Sequence, residues 1–109
     1  MEKLIEAMKQ GRILLVGECR GARTDVVKYV DKRTGQKSAF TATTYLVERP
    51  GMMESVMISQ QVGDGELDVS TVKVNVQKGK TYAFELSGLE KVRGVVKARM
   101  PAGAEPLPV

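Results

Sequence analysis

The sequence predicts an all-β domain, a small five-stranded Greek-key barrel with a short N-terminal helix or arm over residues 2–10. Five or six short runs rich in β-branched and aromatic residues alternate with glycine-bearing turns, and no long segment has helical periodicity. With 109 residues and 42% hydrophobic content, the chain can close one modest core. We therefore expect one barrel domain over residues 1–100 and a flexible proline-rich tail over residues 101–109.

A β-hairpin is the best-marked local element. The apolar run Val26–Val30 leads into the polar loop 31–35, where Gly35 can adopt the positive φ that tight turns require. The return strand is predicted from Lys37 to about Glu48, because this segment is rich in Thr, Ala, Phe, Tyr and Val. The simplest register pairs Val30 with Gln36.

The second half of the chain continues in β-type segments. The tripeptide at residues 49–51 predicts a turn into a strand that begins at Ser55. Residues 66–76 are ambiguous between a helical turn and a strand, and the alternating valines of 72–76 favour a strand. Alternating apolar residues at 82–86 are predicted to face the core, and a last strand edged with basic residues ends at Met100.

Charge is unevenly distributed along the chain. The net charge of +4 and a pI near 9.3 give a moderate bias towards polyanionic partners. Between residues 20 and 37, the net charge is +4 (6 − 2), because six cations stand against Asp25 and Asp31. The six cations are Arg20, Arg23, Lys28, Lys32, Arg33 and Lys37. Either this segment binds a polyanion or it is a solvated face with no ligand.

The composition argues against an enzyme. No histidine is present, which removes the commonest general base and the commonest metal ligand, and one cysteine cannot build a zinc site. The acids at 64, 66 and 68 are best interpreted as solvated loop residues. No phosphate-cradling loop of the P-loop kind occurs. We therefore expect no catalytic residues, no metal and no cofactor.

Location is predicted from two further absences. No stretch approaches the roughly 20 apolar residues of a membrane helix, and the start lacks the layout of a secretory signal. The single Cys19 cannot form an internal disulfide, which fits a reducing compartment. We expect a cytoplasmic protein without membrane contact.

The predicted hairpin register divides its return strand into two faces. The face expected to be exposed carries Tyr29, Lys37, Thr41, Thr43 and Tyr45. The face expected to be buried carries Phe40, Ala42, Thr44 and Leu46. Exposed tyrosines stack on unpaired bases, and the neighbouring Lys32 and Arg33 would follow the phosphates. The alternative for each ring is a place in the core or in a subunit contact.

This layout resembles the OB-fold single-stranded DNA-binding proteins of filamentous phages. The likeness lies in the basic hairpin from Lys28 to Lys37 and in the segment 78–88 followed by a basic strand. The resemblance implies an OB-like barrel that pairs into a homodimer through a β-hairpin. It also implies nucleotide contacts from Tyr29, Tyr45, Arg33 and Lys37, and phosphate neutralisation by Arg20, Arg23 and Lys28. The N-terminal segment and the proline tail depart from the family pattern.

The sequence therefore leads to two alternative hypotheses of function. The first is largely sequence-independent binding of single-stranded DNA, with RNA as a possible alternative ligand. The second is a structural or protein-interaction barrel without nucleic-acid binding, which docks through an exposed edge strand or a patch of Met52, Met53 and Met57.

Overall fold

The secondary structure is mostly β, which confirms the predicted all-β class. The computed structural model describes residues 2–49, 51, 55–92 and 95–109. A short helix begins the chain, as the sequence predicts. The elements in order are α1 (Glu2–Lys9), β1 (Leu14–Val30), β2 (Lys37–Glu48), β3 (Ser55–Asp64), a 3₁₀ turn (Val69–Thr71), β4 (Thr81–Glu85), β5 (Gly88–Val92), β6 (Val95–Met100) and β7 (Leu107–Pro108).

The strands form one curled sheet in the order β5-β6-β3-β2-β1-β4-β7, which makes half a barrel. Neighbouring strands are antiparallel except β3 and β6, which run parallel. The described residues thus contain seven strands, where the sequence predicts five. The prediction lacks β5, which folds back on β6, and β7, which lies in the segment expected to be a tail.

The chain passes between two distant strands of the sheet at Leu86 and Ser87. The backbone N–H of Leu86 donates to the carbonyl of Ile13 beside β1, at 2.9 Å. The backbone N–H of Ser87 donates to the carbonyl of Arg99 on β6, at 2.8 Å. Two residues therefore link the strand next to β1 with the strand next to β6, which brings the two sides of the curled sheet together.

The core lies inside the curl. Its largest fully buried apolar side chains are Phe84, Ile58, Val47 and Val56. Complete burial of a side chain of this size stabilises the fold by roughly 1.5–3 kcal/mol. A hydroxyl pair is also accommodated, since Thr24 Oγ1 and Thr43 Oγ1 lie 2.8 Å apart and satisfy each other.

The β1–β2 hairpin forms as predicted, but its register differs by one residue. Val30 pairs with Lys37 rather than with Gln36, and the backbone N–H of Asp31 donates to the carbonyl of Gln36 inside the loop. Gly35 has a φ of 70°, which a residue with a side chain rarely adopts. The shifted register places Tyr29 opposite Ser38, on the face of β2 that does not carry Tyr45.

The prediction of which β2 face is buried is wrong. Thr41, Thr43, Tyr45 and Val47 are buried, whereas on the other face Leu46 is 40% exposed and, of the four residues expected to be buried, Ala42 is. The physical reason is that the inner face of β2 packs against β3 and β4, where ring centroids of Tyr45 and Phe84 lie 5.5 Å apart. Tyr45 is consequently a core residue.

No strand forms over residues 72–77, which corrects the strand predicted from the alternating valines. Val74 and Val76 nevertheless pack against the core. Their alternation therefore reflects a loop that presents every second side chain to the core. The loop is also held by the Tyr82 hydroxyl, which accepts a hydrogen bond from the backbone N–H of Gln77 at 2.8 Å.

Residues 101–109, predicted to form a flexible tail, contact the rest of the fold. The buried side-chain amide of Gln60 donates to the carbonyls of Pro101 and Ala104, and Ala104 packs against the core. Leu107 then pairs with Ala83 of β4. Sequence reasoning weighed the prolines and missed that partners elsewhere in the fold hold this segment.

Some sequence predictions fall outside the described residues. Pro50 of the predicted turn, Met52 and Met53 of the predicted apolar patch, and Arg93 of the last strand are among them. The hairpin that the turn was expected to make is present, because Glu48 of β2 pairs with Ser55 of β3.

Candidate nucleic-acid interface

The β1–β2 ribbon extends beyond the rest of the sheet. The pairing of β4 with β1 stops at Glu18, and the pairing of β3 with β2 starts at Phe40. Residues 27–38 form what we call the hairpin arm, and all of them are exposed except the half-buried Asp31. A two-stranded ribbon alone is marginally stable in water. Apolar side chains on the arm therefore contribute little to folding and are accessible to a ligand.

Two aromatic rings meet at the base of the arm. The centroids of Tyr29 and Phe40 lie 5.9 Å apart, with the rings tilted by 58°. Tyr29 is 47% exposed, and Val27, directly opposite Phe40, is also exposed. Phe40 supports one side of the Tyr29 ring, which leaves this phenol available for stacking. Sequence reasoning missed Phe40 because the assumed register buried it.

Three cations of the arm have no acidic partner. Among the residues that the structure describes, Lys32, Arg33 and Lys37 form no ion pair. The carboxylate of Asp31, which stands beside them, accepts the backbone N–H of Arg33 at 2.8 Å and so shapes the turn. Residues 28–37 carry a net charge of +3 (4 − 1). The arm therefore concentrates positive charge at its tip.

An open groove of about 560 Å³ runs along one side of the arm. It is lined by Lys28, Tyr29, Val30, Lys37, Ser38, Ala39, Gly65 and Glu66. A cavity of about 150 Å³ holds a benzene ring. The groove consequently has room for at least one nucleobase between the arm and the loop that carries Glu66.

Glu66 enters the groove from the loop after β3. Its Oε1 lies 3.4 Å from Nζ of Lys28, with both side chains more than half exposed. Sequence reasoning treated this acid as a solvated loop residue. The pairing could not be found from spacing along the chain, because 38 positions (66 − 28) separate the two residues.

The loop that carries Glu66 is fixed to β2 on both sides of this residue. The hydroxyl of the fully buried Thr41 donates to the carbonyl of Gly65 at 2.9 Å and accepts the backbone N–H of Leu67 at 3.0 Å. The Leu67 side chain lies so close to Gly63 that any Cβ there would collide with it. The backbone on both sides of Glu66 is therefore held against β2.

The remaining predicted cations lie apart from the arm and are paired with acids. Arg20 contacts Glu18 at 3.4 Å and Glu48 at 3.6 Å. Arg23 contacts Asp25 at 3.0 Å. Of the eight predicted contact residues, the arm brings together Lys28, Tyr29, Lys32, Arg33 and Lys37. Arg20 and Arg23 are not gathered with them.

Tyr45 occupies a different environment from Tyr29. It is 4% exposed, and burial raises the pKa of its phenol above the ordinary value near 10, with the charges of Cys19 and Glu105 adding to the effect. It borders a second, polar cleft of about 420 Å³ together with Gln60 and Lys73. The predicted role of Tyr45 as an exposed stacking ring is therefore wrong.

Two features are absent from the described residues. No group of three or more acidic, cysteine or histidine side chains is placed to hold a metal ion within these ranges. None of the described helical residues belongs to a helix long and apolar enough to span a membrane. Comparison with protein-family models, with curated proteins and with solved structures gives no match.

Proposed function

We propose that this protein binds single-stranded nucleic acid, with DNA as the principal ligand, through the hairpin arm and without strict sequence preference. The observation that carries the proposal is the exposed Tyr29 ring, supported by Phe40, on a hairpin arm that also carries three cations without an ion pair among the described residues. Stacking on an aromatic ring contributes about 1–3 kcal/mol per base and tolerates any base. The cations would neutralise phosphates and release counterions.

The strand pairings support an OB-type barrel as the scaffold. The antiparallel succession β1-β2-β3, the parallel pairing of β3 with β6, and the direct passage from β4 to β5 fit a five-stranded closed barrel. In that description β4 and β5 are one bent strand and β7 is an addition. The resemblance to filamentous-phage proteins adds a cytoplasmic homodimer without catalytic activity, and these remain parts of the proposal.

A single strand fits the arm better than a duplex because stacking needs bases that are not already paired. Stacking does not distinguish DNA from RNA, since both offer the same π-faces. Only contacts to the 2′-hydroxyl would separate the two. Competition between single-stranded DNA, duplex DNA and RNA of equal length therefore belongs to the first experiment, and we expect single-stranded DNA to bind most tightly.

Intrinsic tyrosine fluorescence offers a direct test because one of the three rings is accessible. The chain has no tryptophan, and Tyr45 and Tyr82 are buried while Tyr29 is 47% exposed. Oligo(dT) should quench part of the emission at low salt and less at high salt. The variant Tyr29→Phe should bind but lose most of the quenching. Absence of any binding at low salt and micromolar protein rejects the proposal.

Charge reversal at the arm tests whether its cations neutralise the phosphates of the ligand. The triple variant Lys32→Glu, Arg33→Glu, Lys37→Glu should bind single strands weakly. Each lost phosphate contact lowers the slope of log affinity against log salt by about 0.7, so that the loss of three contacts should lower the magnitude of this slope by about 2. The matched control reverses three exposed lysines away from the arm, Lys9, Lys78 and Lys80. An equal loss in both triple variants would mean that only net charge matters and would contradict a site on the arm.

One observation favours a second candidate, a protein-interaction module. Leu46 and Met57 are paired directly across β2 and β3 and are 40% and 39% exposed on the outer face of the sheet. Replacing both with Ser should weaken self-association or partner binding in sedimentation experiments under this alternative. Nucleic-acid affinity should be unchanged.

A further inference from the structure

We propose that the polar cleft beside Tyr45 binds the amino-bearing edge of adenine or cytosine, in a free nucleoside or in a strand. Such an edge has an NH2 group next to a ring nitrogen that accepts a hydrogen bond. The inference goes beyond the proposed function, because the cleft and the groove of the hairpin arm share no lining residue among those that the structure describes.

The first support is the position of two buried side chains. Tyr45 on β2 and Gln60 on β3 are 4% and 5% exposed, and both line the cleft of about 420 Å³. Gln60 pairs with Thr43, which lies two positions before Tyr45 on the inner face of β2. Diagonal neighbours across antiparallel strands are about 7–8 Å apart, within the reach of long side chains. The cleft is therefore lined by two polar side chains that are close to each other.

The second support is that each of these side chains has a polar atom without a partner. The NH2 group of Gln60 donates to the carbonyls of Pro101 and Ala104, which uses both of its hydrogens and fixes the orientation of the amide. No described residue bonds to the remaining amide oxygen or to the Tyr45 hydroxyl. Polar atoms of buried side chains normally have a hydrogen-bond partner. These two atoms are thus free to bind a ligand.

Both atoms are also accessible. Within the described ranges, the unpartnered side-chain polar atom that is sealed from solvent is Nε of Arg49. The Tyr45 hydroxyl and the Gln60 oxygen are therefore not sealed, and the open volume that both residues line is the polar cleft.

The third support is a second acceptor close to the hydroxyl. Glu105 lines the cleft and follows Ala104, whose carbonyl is bonded to Gln60. The pKa of the Tyr45 phenol is raised by burial and, to a smaller extent, by the charges of Cys19 and Glu105. The Tyr45 hydroxyl consequently keeps its proton at neutral pH and is a donor. Glu105 forms no ion pair with any described residue, so its carboxylate is available to accept.

These groups match one kind of base edge. The cleft offers one donor, the Tyr45 hydroxyl, and two acceptors, the Gln60 oxygen and the Glu105 carboxylate. Adenine and cytosine donate twice through the amino group and accept once at the neighbouring ring nitrogen, and unpaired bases are read on this edge. Hypoxanthine and uracil have a carbonyl and a single N–H there. They would satisfy one acceptor and turn an oxygen towards the other.

The size and charge of the cleft also fit a neutral base. A cavity of about 150 Å³ holds a benzene ring, so about 420 Å³ has room for a purine or a pyrimidine. Val62 and Pro106 add apolar lining. The charged residues of the lining give a net charge of −1 (1 − 2), from Lys73 against Asp64 and Glu105, which disfavours an anionic ligand.

The test compares adenosine with inosine, which differ only at this edge, and cytidine with uridine as a second pair. By isothermal titration calorimetry, the wild-type protein should bind adenosine about tenfold more tightly than inosine, because inosine leaves one acceptor without a hydrogen bond. In NMR spectra of the ¹⁵N-labelled protein, adenosine should shift the side-chain amide signals of Gln60.

Two variants identify the groups involved. Tyr45→Phe removes the donor and keeps the ring, so adenosine affinity should fall about fivefold. The matched control, Tyr29→Phe, removes a phenol hydroxyl outside the cleft and should leave this affinity unchanged. Glu105→Ala removes an exposed acceptor and should bring the ratio of adenosine to inosine affinity close to one. Circular dichroism verifies that the variants are folded.

Three results overturn the inference: no adenosine binding at millimolar concentration, equal affinity for adenosine and inosine, or an unchanged affinity in Tyr45→Phe. A competition experiment then identifies the source of the base. Displacement of adenosine by oligo(dA) but not by oligo(dT) assigns the cleft to a base in a strand, and displacement by neither assigns it to a free nucleoside. Displacement by both contradicts readout of the amino group. Quenching of Tyr29 by oligo(dT) is measured separately, so the proposed function stands or fails independently of these results.

Discussion

The two ends of the β1–β2 ribbon do different physical work. At one end Val47 lies opposite Cys19 and both are fully buried. At the other end Val30 lies opposite Lys37 and is 56% exposed. The residue types overlap, and the strands are continuous from one end to the other.

The difference comes from what lies beside the ribbon. Near Val47 the inner face is covered by β3 and β4, whereas no third strand pairs with the arm among the described residues. Apolar side chains stabilise a fold only where something removes them from water. The same kind of side chain is therefore structural at one end and available for a ligand at the other.

The largest expected effect breaks the buried end. Phe84 is fully buried and contacts the rings of both Tyr45 and Tyr82. Phe84→Ala should lower the free energy of unfolding by about 3–5 kcal/mol, because it removes buried surface and leaves a cavity. Urea denaturation followed by circular dichroism measures the change. Tyr29→Ala should cost far less in the same measurement, and a similar loss in both variants would contradict the contrast between the two ends.

A smaller loss of stability is expected at Thr41, which lies between the buried end of the ribbon and the hairpin arm. Thr41→Val keeps the side-chain shape but removes the hydroxyl bonded to Gly65 and Leu67. The free energy of unfolding should fall by about 1–3 kcal/mol, since buried polar groups lose their partner. Thr44→Val is the control, because its side chain faces outward and should change stability by less than about 0.5 kcal/mol. Equal effects would mean that the Thr41 hydroxyl does not hold the loop.

The smallest expected effect is a pH dependence of stability caused by Tyr45 at the buried end of the ribbon. The pKa of the Tyr45 phenol is raised mainly by burial, and to a smaller extent by electrostatic interactions with Cys19 and Glu105. The folded state thus binds this proton more tightly than the unfolded chain. Stability should be independent of this group below about pH 10 and should fall as the pH rises from there through the raised pKa. Tyr45→Phe should remove this decrease in the free energy of unfolding above about pH 10. If the decrease is unchanged in the variant, another group causes it.

The sequence predicts the hairpin well and its faces badly. Loop residues such as Gly35 mark a turn because their backbone requirements are local. Burial of a strand face depends on distant partners, and both faces of β2 carry apolar residues. A register shift of one residue was enough to separate Tyr29 from Tyr45.

The candidate site follows the same rule. Lys32, Arg33 and Lys37 were found from sequence because they are neighbours in one hairpin. Phe40 needed the true register, and Glu66 needed the fold, because hydrogen bonds from Thr41 bring its loop to the arm. Contacts between segments far apart in the chain leave no periodic signal in a single sequence.

The two-residue strand β7 also determines what can happen at its border of the sheet. Leu107 stands between Pro106 and Pro108, and neither proline has a backbone N–H to offer. A strand arriving from another molecule would find too few donors there to extend the ladder. The edge of β4 is thus covered by β7, and β7 itself pairs poorly with a further strand, which protects this border of the sheet from edge-to-edge aggregation.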